Sequence, residues 1–299
     1  MERKSILGSL SRPNPHSMKH LVTFLFCFWL CPAHALPEHP VSQSLLGGAD
    51  KWELVWNDEF DYPDRMLEEK WISQNSSSTH ILSSRWRENA VVANGLLRLI
   101  NKKEKRGDND WTSGSVWTKT KFQYGYFECR YRYAAAEGTN NSFWLMTTGK
   151  PPAGMKSFEI DINEGHYPNK VNTNIHNHTD ITVVNGKKTH PTSPRKFLND
   201  DEVPWLDDSN REAMSSPATR KPKPGFVPGF QTYGLEWTQD QLIFYVNGSK
   251  IRSEKNDFCH HPSPVWLSLA VIPWAGKVTD AIDGTAMEVD YVRIYRNKK

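Results

Sequence analysis

The densest chemistry in the chain lies in Ser157-Phe158-Glu159-Ile160-Asp161-Ile162-Asn163-Glu164-Gly165, where three acids fall within six positions. Written as a strand, the segment alternates. Glu159 and Asp161 share one face, and Phe158, Ile160 and Ile162 share the other. An ordinary surface strand spreads its acids among basic partners. Here the carboxylates crowd one edge, and their repulsion must push at least one pKa upward. Two carboxyls with separated pKa values, one ionised and one protonated, are what cleavage of a glycosidic bond requires. Strict alternation turns Glu164 to the apolar face. A β-bulge at Ile162 or Asn163 absorbs one residue and returns Glu164 to the face of the other two.

A second polar face follows in Asn172-Thr173-Asn174-Ile175-His176-Asn177-His178, where alternation aligns Asn172, Asn174, His176 and His178. If this strand pairs beside the acidic one, His176 and Asn174 reach the same cleft. His178 reads equally well as the solvent side of a strand. Before the acids, Asn140-Asn141-Ser142-Phe143-Trp144-Leu145-Met146 forms another strand and offers Trp144 as a stacking surface. Trp86, Trp117 and Trp274 are the next candidates, with core packing the plainer explanation for any one of them.

The elements that must hold these residues read as strands throughout. Trp52, Leu54 and Trp56 alternate toward Asn57-Asp58-Glu59-Phe60. Asn94-Gly95 and Asn247-Gly248 each separate two apolar runs, a hairpin signal. Phe122 to Arg130 alternates cleanly, Val265 to Ile272 is a nearly continuous apolar run, and Met287 to Tyr295 closes the pattern. Short strands with regular turns and no convincing helix predict an all-β antiparallel sandwich. Residues 180–230, rich in Lys, Pro, Asp and Ser, break the pattern and read either as a long excursion bordering the cleft, with Trp205 as a contact, or equally as a disordered surface insertion.

Glu-Ile-Asp-Ile-Asn-Glu resembles the Glu-x-Asp-x-x-Glu signature of glycoside hydrolase family 16 in its bulged form. The resemblance extends through Trp52–Phe60, Glu88–Leu99, Thr112–Arg130, Tyr233–Gly248 and Met287–Tyr295, so it covers residues 50–297. It implies a β-jelly-roll sandwich of two curved antiparallel sheets with a concave substrate cleft. It implies a retaining endo-glycosidase with Glu159 as nucleophile, Asp161 assisting and Glu164 as acid/base, acting on a β-linked polysaccharide. No cofactor is required. A structural calcium is expected on the convex side at Glu59, the Gly95 carbonyl and Asp290, since oxygen ligands suit that ion. Relatives acting on β-1,3-glucans often carry Trp-Pro-Ala where this chain has Asn140-Asn141-Ser142. That departure resembles relatives acting on red-algal galactans (agar, porphyran, carrageenan), where Arg85, Arg87 and Lys119 would contact sulfate, ordinary surface charge being the plainer explanation for each. An endo-β-1,3-glucanase of the laminarinase type is the alternative substrate reading. A carbohydrate-binding jelly roll that does not cut is the competing class, although such a protein has no reason to keep Glu159 and Glu164 beside Asp161.

The amino end carries an address. Lys19 and His20 precede an apolar run from Leu21 to Cys31 and then Ala33-His34-Ala35, which together read as a signal peptide over residues 1–35, with Met18 a candidate start. The run is too short for a permanent membrane anchor. A linker over residues 36–49 follows. Removing residues 1–35 lowers Lys plus Arg from 37 to 33 and Asp plus Glu from 34 to 33, so the net charge of +3 vanishes. With no basic footprint left, nucleic acid is not an expected partner. A secreted or periplasmic monomer acting on a polysaccharide, away from the membrane, is the expectation. Cys129 and Cys259 remain, and a disulfide and buried thiols are both open to them.

Overall fold

The structure is a computed structural model that describes residues 51–193, 195–198 and 229–298. The expected signal peptide, the linker, Trp205 and most of the 180–230 excursion lie outside these residues. No helix among the described residues is long and apolar enough to cross a membrane.

Two antiparallel sheets face each other. One is ordered Lys196–Leu198, Val171–Asn177, Phe158–His166, Thr139–Met146, Val265–Val271, Ser115–Thr118 and Trp71–Ser73. The other runs from Ser249–Lys255 through Gln241–Val246, Gln231–Trp237, Gly125–Arg132, Ala286–Asn297 and Leu96–Ile100 to Ala90–Ala93, with Trp52–Asp58 also pairing with Ala286–Asn297. Many neighbours in each sheet are far apart in sequence, as crossing between two sheets requires. This is the antiparallel sandwich expected from the strand pattern, in the β-jelly-roll form that the family resemblance implies.

The period-2 alternation decides which side chains enter the core. Phe143 and Leu145, Phe158, Ile160 and Ile162, Ile175, and Leu267 and Leu269 all point from the first sheet into one buried cluster, against Phe127, Leu235, Phe244, Val292 and Ile294 of the second. Burial of each such side chain is worth roughly 1.5–3 kcal/mol, so the acidic strand is held in register mainly by its apolar face. A one-residue slip would expose Ile160 and bury Glu159. Val265–Val271 is buried along its whole length. Its odd positions fill the core, whereas Trp266, Ser268 and Ala270 lie on the opposite face.

The excursion read into residues 180–230 is more ordered at its start than expected. Thr182–Val184 and Lys187–Thr189 form a hairpin, and Lys196–Leu198 adds an edge strand to the first sheet by pairing with Val171–Asn177. Val171 and Leu198, both buried, sit opposite each other there. Cys129 and Cys259 are both buried free thiols.

Candidate active site

The acidic strand Phe158–His166 is central in its sheet. It pairs Glu159 with His176 and Asp161 with Asn174 on one side, and Asp161 with Trp144 and Glu164 with Ser142 on the other. The register shifts between Asp161 and Asn163, so Ile162 is the extra residue of the bulge. Beyond it, Asn163 points inward and Glu164 outward. Asn163 Nδ2 donates to Tyr131 Oη at 2.7 Å and to Tyr133 Oη at 2.8 Å, which anchors the bulge to the facing sheet. Gly165 completes the fit: a Cβ there would lie 2.2 Å from Tyr133 Cζ.

Glu159, Asp161 and Glu164 therefore open onto one cleft of about 420 Å³, with Trp144, Trp266 and Trp274 among its lining. Trp144 and Trp266 have ring centroids 4.9 Å apart, and Trp144 Nε1 donates to Ser268 Oγ at 3.1 Å. Trp274 is exposed at the rim. Trp117 stacks on Trp266 at 4.4 Å and ends this aromatic row outside the cleft lining. Trp86 is not in the cleft. Its Nε1 donates to Ser84 Oγ and the Arg106 guanidinium covers its ring at 3.6 Å, so it serves local packing.

The three acids have unlike surroundings. Burial pushes the Glu159 carboxyl up, but the hydrogen bond from His178 Nε2 to its Oε2, 3.0 Å long, and the neighbouring His176 and His178 bring it below the ordinary carboxylate value. His176 is itself driven toward its neutral form by burial, with Glu159 partly opposing. Near neutral pH the His178 bond is thus the main restraint on Glu159. Asp161 is raised well above its usual value by burial and by the charges of Glu159 and Glu164. Its Oδ2 lies 3.4 Å from His176 Nε2. Glu164 is also raised, by burial first; Arg195 and the Asn140 bond oppose this, and Glu159 adds to it. Asn140 Nδ2 donates to Glu164 Oε1 at 2.8 Å. Arg195 Nη2 lies 3.0 Å from Glu164 Oε2, an ion pair off the line of a hydrogen bond. The site thus holds one carboxyl biased toward ionisation and two biased toward protonation.

Asn174 Nδ2 bonds His176 Nε2 at 2.8 Å and so orients that ring beside the acids. His190 packs edge-on against His176 and His178, at 5.2 and 5.0 Å between centroids. His178, Arg195, Asn140 and Trp266 are the contacts that sequence reasoning left unassigned. Trp266 hides inside an apolar run, and Arg195 reaches Glu164 only because an edge strand adds to the sheet.

Among the described residues, Glu159, Asp161 and His176 are the one group offering three metal-ligand atoms within 4.8 Å of one another. The expected calcium ligands do not fit an ion as they stand. Glu59 accepts from Arg293 Nε at 3.0 Å and Nη2 at 2.9 Å, and Asp290 accepts from Arg130 Nη1. Gly95 lies in the turn between Ala90–Ala93 and Leu96–Ile100. A guanidinium therefore already neutralises each carboxylate that a cation would need.

A jelly roll with paired carboxyls at the centre of an aromatic cleft defines a carbohydrate-active class. Residues 78–209 and 215–293 match the signature of Glycosyl hydrolases family 16, and the chain belongs to that family. It is 26% identical over 271 residues to the kappa-carrageenase of Pseudoalteromonas carrageenovora, across 80% of this chain and 63% of that protein. The chain thus spans less than two thirds of that relative's length. It is 27% identical over 287 residues to a beta-glucanase of Rhodothermus marinus, across 83% of this chain and 86% of that one. The crystal structure of the Pseudoalteromonas kappa-carrageenase with an oligotetrasaccharide of kappa-carrageenan shares the fold. That comparison gives a TM-score of 0.60 at 23% identity, covering 84% of this chain and 97% of the other.

Proposed function

We propose that this chain is a retaining endo-glycosidase in which Glu159 is the nucleophile and Glu164 the acid/base. The observation that carries the reading is the convergence of Glu159, Asp161 and Glu164 on one cleft face, with His178 bonded to Glu159 and with Asn140 and Arg195 on Glu164. In the first step, Glu159 attacks the anomeric carbon as Glu164 gives its proton to the departing glycosidic oxygen. The carboxylate left on Glu164 is then stabilised by Arg195 and Asn140. In the second step Glu164 takes a proton from water, the water oxygen attacks the anomeric carbon, and Glu159 leaves as a carboxylate. Asp161, held protonated, shares its proton with Glu159 and follows the charge as it moves. His178 keeps Glu159 ionised between turnovers.

The substrate is a β-linked polysaccharide, and a red-algal galactan is the finer reading. Asn140, which stands where the β-1,3-glucanase pattern differs, is bonded directly to Glu164 and so belongs to the reacting centre. The beta-glucanase relative supports an endo-β-1,3-glucanase as the second reading. A secreted monomer is part of the proposal. Reducing-end assays on agarose, porphyran, carrageenan and laminarin test it. Cleavage of one polymer by wild type and its loss in Glu159→Gln are expected. Undiminished cleavage by Glu159→Gln would remove the nucleophile assignment. Binding of a polymer without any cleavage would favour the non-catalytic jelly roll.

A further inference from the structure

Glu159 and Asp161 are two positions apart on one strand, so their side chains share a face. His176 stands opposite Glu159 on the neighbouring strand. One atom from each of the three lies within 4.8 Å of the other two. Asp161 Oδ2 is 3.4 Å from His176 Nε2, and Glu159 Oε1 is 4.0 Å from the same nitrogen. Donor atoms bound at about 2.0–2.2 Å to a tetrahedral ion stand about 3.4 Å apart. The edge from Asp161 to His176 already has that length, and Glu159 Oε1 must close by about half an ångström.

A second observation points to a ligand. Asp161 is only 3% exposed, and its Oδ2 is buried without a hydrogen-bond partner. That oxygen faces His176, the one ion-pair partner of Asp161 among the described residues. Glu59 and Asp290, by contrast, are each held by a guanidinium. A buried oxygen left unsatisfied destabilises the fold unless something binds it. The surroundings are also rich in imidazole. His178 Nε2 lies 3.0 Å from Glu159 Oε2, and the His190 ring packs edge-on against His176 and His178. Two carboxylate oxygens and an imidazole nitrogen suit a borderline divalent ion such as zinc or copper. Calcium and magnesium prefer oxygen donors alone. Glu159 and Asp161 line the cleft, so a fourth position is open to water.

We infer that Glu159, Asp161 and His176 form a binding site for a zinc-class divalent ion, and that such an ion switches the cleft off. The proton that Asp161 shares with Glu159 passes to solvent as the metal enters, and the two carboxylates balance the charge of the ion. The Asn174 amide, 2.8 Å from His176 Nε2, turns away from that nitrogen. A Glu159 oxygen bound to the ion is no longer free to attack an anomeric carbon. The metal site stands without the glycosidase reading, and the loss of activity rests on it.

Zinc chloride titrated into the full chain, followed by calorimetry, tests the site. Asp161→Asn and His176→Ala are each expected to weaken binding at least tenfold. A thermal melt at the wild-type midpoint shows that a variant is folded. If His176→Ala does not fold, Asp161→Asn, which keeps the shape of the side chain, decides alone. Calcium and magnesium are expected not to compete. Zinc affinity unchanged within twofold in Asp161→Asn overturns the site, as does displacement of zinc by equimolar calcium. On a polymer that wild type cuts, zinc is expected to lower the initial rate at least tenfold, with recovery on adding EDTA. Zinc bound at the site with an undiminished rate overturns the switch. If wild type cuts no polymer, the glycosidase reading fails, and calorimetry still decides the metal site.

Discussion

Replacing Arg195 by Gln should move the alkaline limb of the pH–rate profile to higher pH. Glu164 must be protonated to act as an acid, and activity falls as pH rises through its pKa. Arg195 Nη2 is 3.0 Å from Glu164 Oε2, and its charge lowers that pKa against the push of burial. At an effective dielectric of about 20, unit charges about 4 Å apart interact by about 4 kcal/mol. Arg195 is 31% exposed and Glu164 17%, so solvent screening leaves roughly a third of this, ~1.4 kcal/mol. That corresponds to about one pH unit on the alkaline limb. The acidic limb, set by Glu159, should stay in place. Initial rates between pH 4 and pH 10, read as kcat/KM, give both limbs from one series. A fixed alkaline limb, or one that moves to lower pH, would refute the placement of the acid on Glu164.

Two further predictions concern neighbouring side chains. His178→Ala removes the bond that holds Glu159 below its ordinary value. The acidic limb should then shift to higher pH with the alkaline limb unmoved, because Glu159 needs a higher pH to ionise. Gly165→Ala places a Cβ against the Tyr133 ring, and overpacking of this kind costs about 1–3 kcal/mol. Urea unfolding should show a lower midpoint with an unchanged slope, and an unchanged midpoint would mean that Tyr133 does not buttress the bulge.

The fold was legible because alternation is a strong signal. Phe158, Ile160 and Ile162 alternate with Glu159 and Asp161, and one face had to be buried. The bulge was legible as well, from the mismatch between the spacing of Glu164 and a period of two, and it falls at Ile162. What the sequence hid is set by long-range pairing. Arg195 lies 31 positions beyond Glu164 in a Pro- and Lys-rich stretch, and nothing local shows that its strand joins the sheet edge. His178 continues the polar face of its strand, yet only the pairing of Phe158 with Asn177 brings it onto Glu159. Trp86 and Trp117 were equal candidates by residue type. Their separation from the cleft follows from partners, Arg106 and Trp266, that composition does not reveal.

The assignment of Glu159 as a nucleophile makes one direct demand, which is that the first product keeps the anomeric configuration of the bond that was cut. Proton NMR of an oligosaccharide digest, recorded before mutarotation, reads this without mutants. The β-anomer is expected first, with the α-anomer appearing only as the sugar equilibrates. An initial α-anomer would mean that water, not Glu159, attacks the sugar.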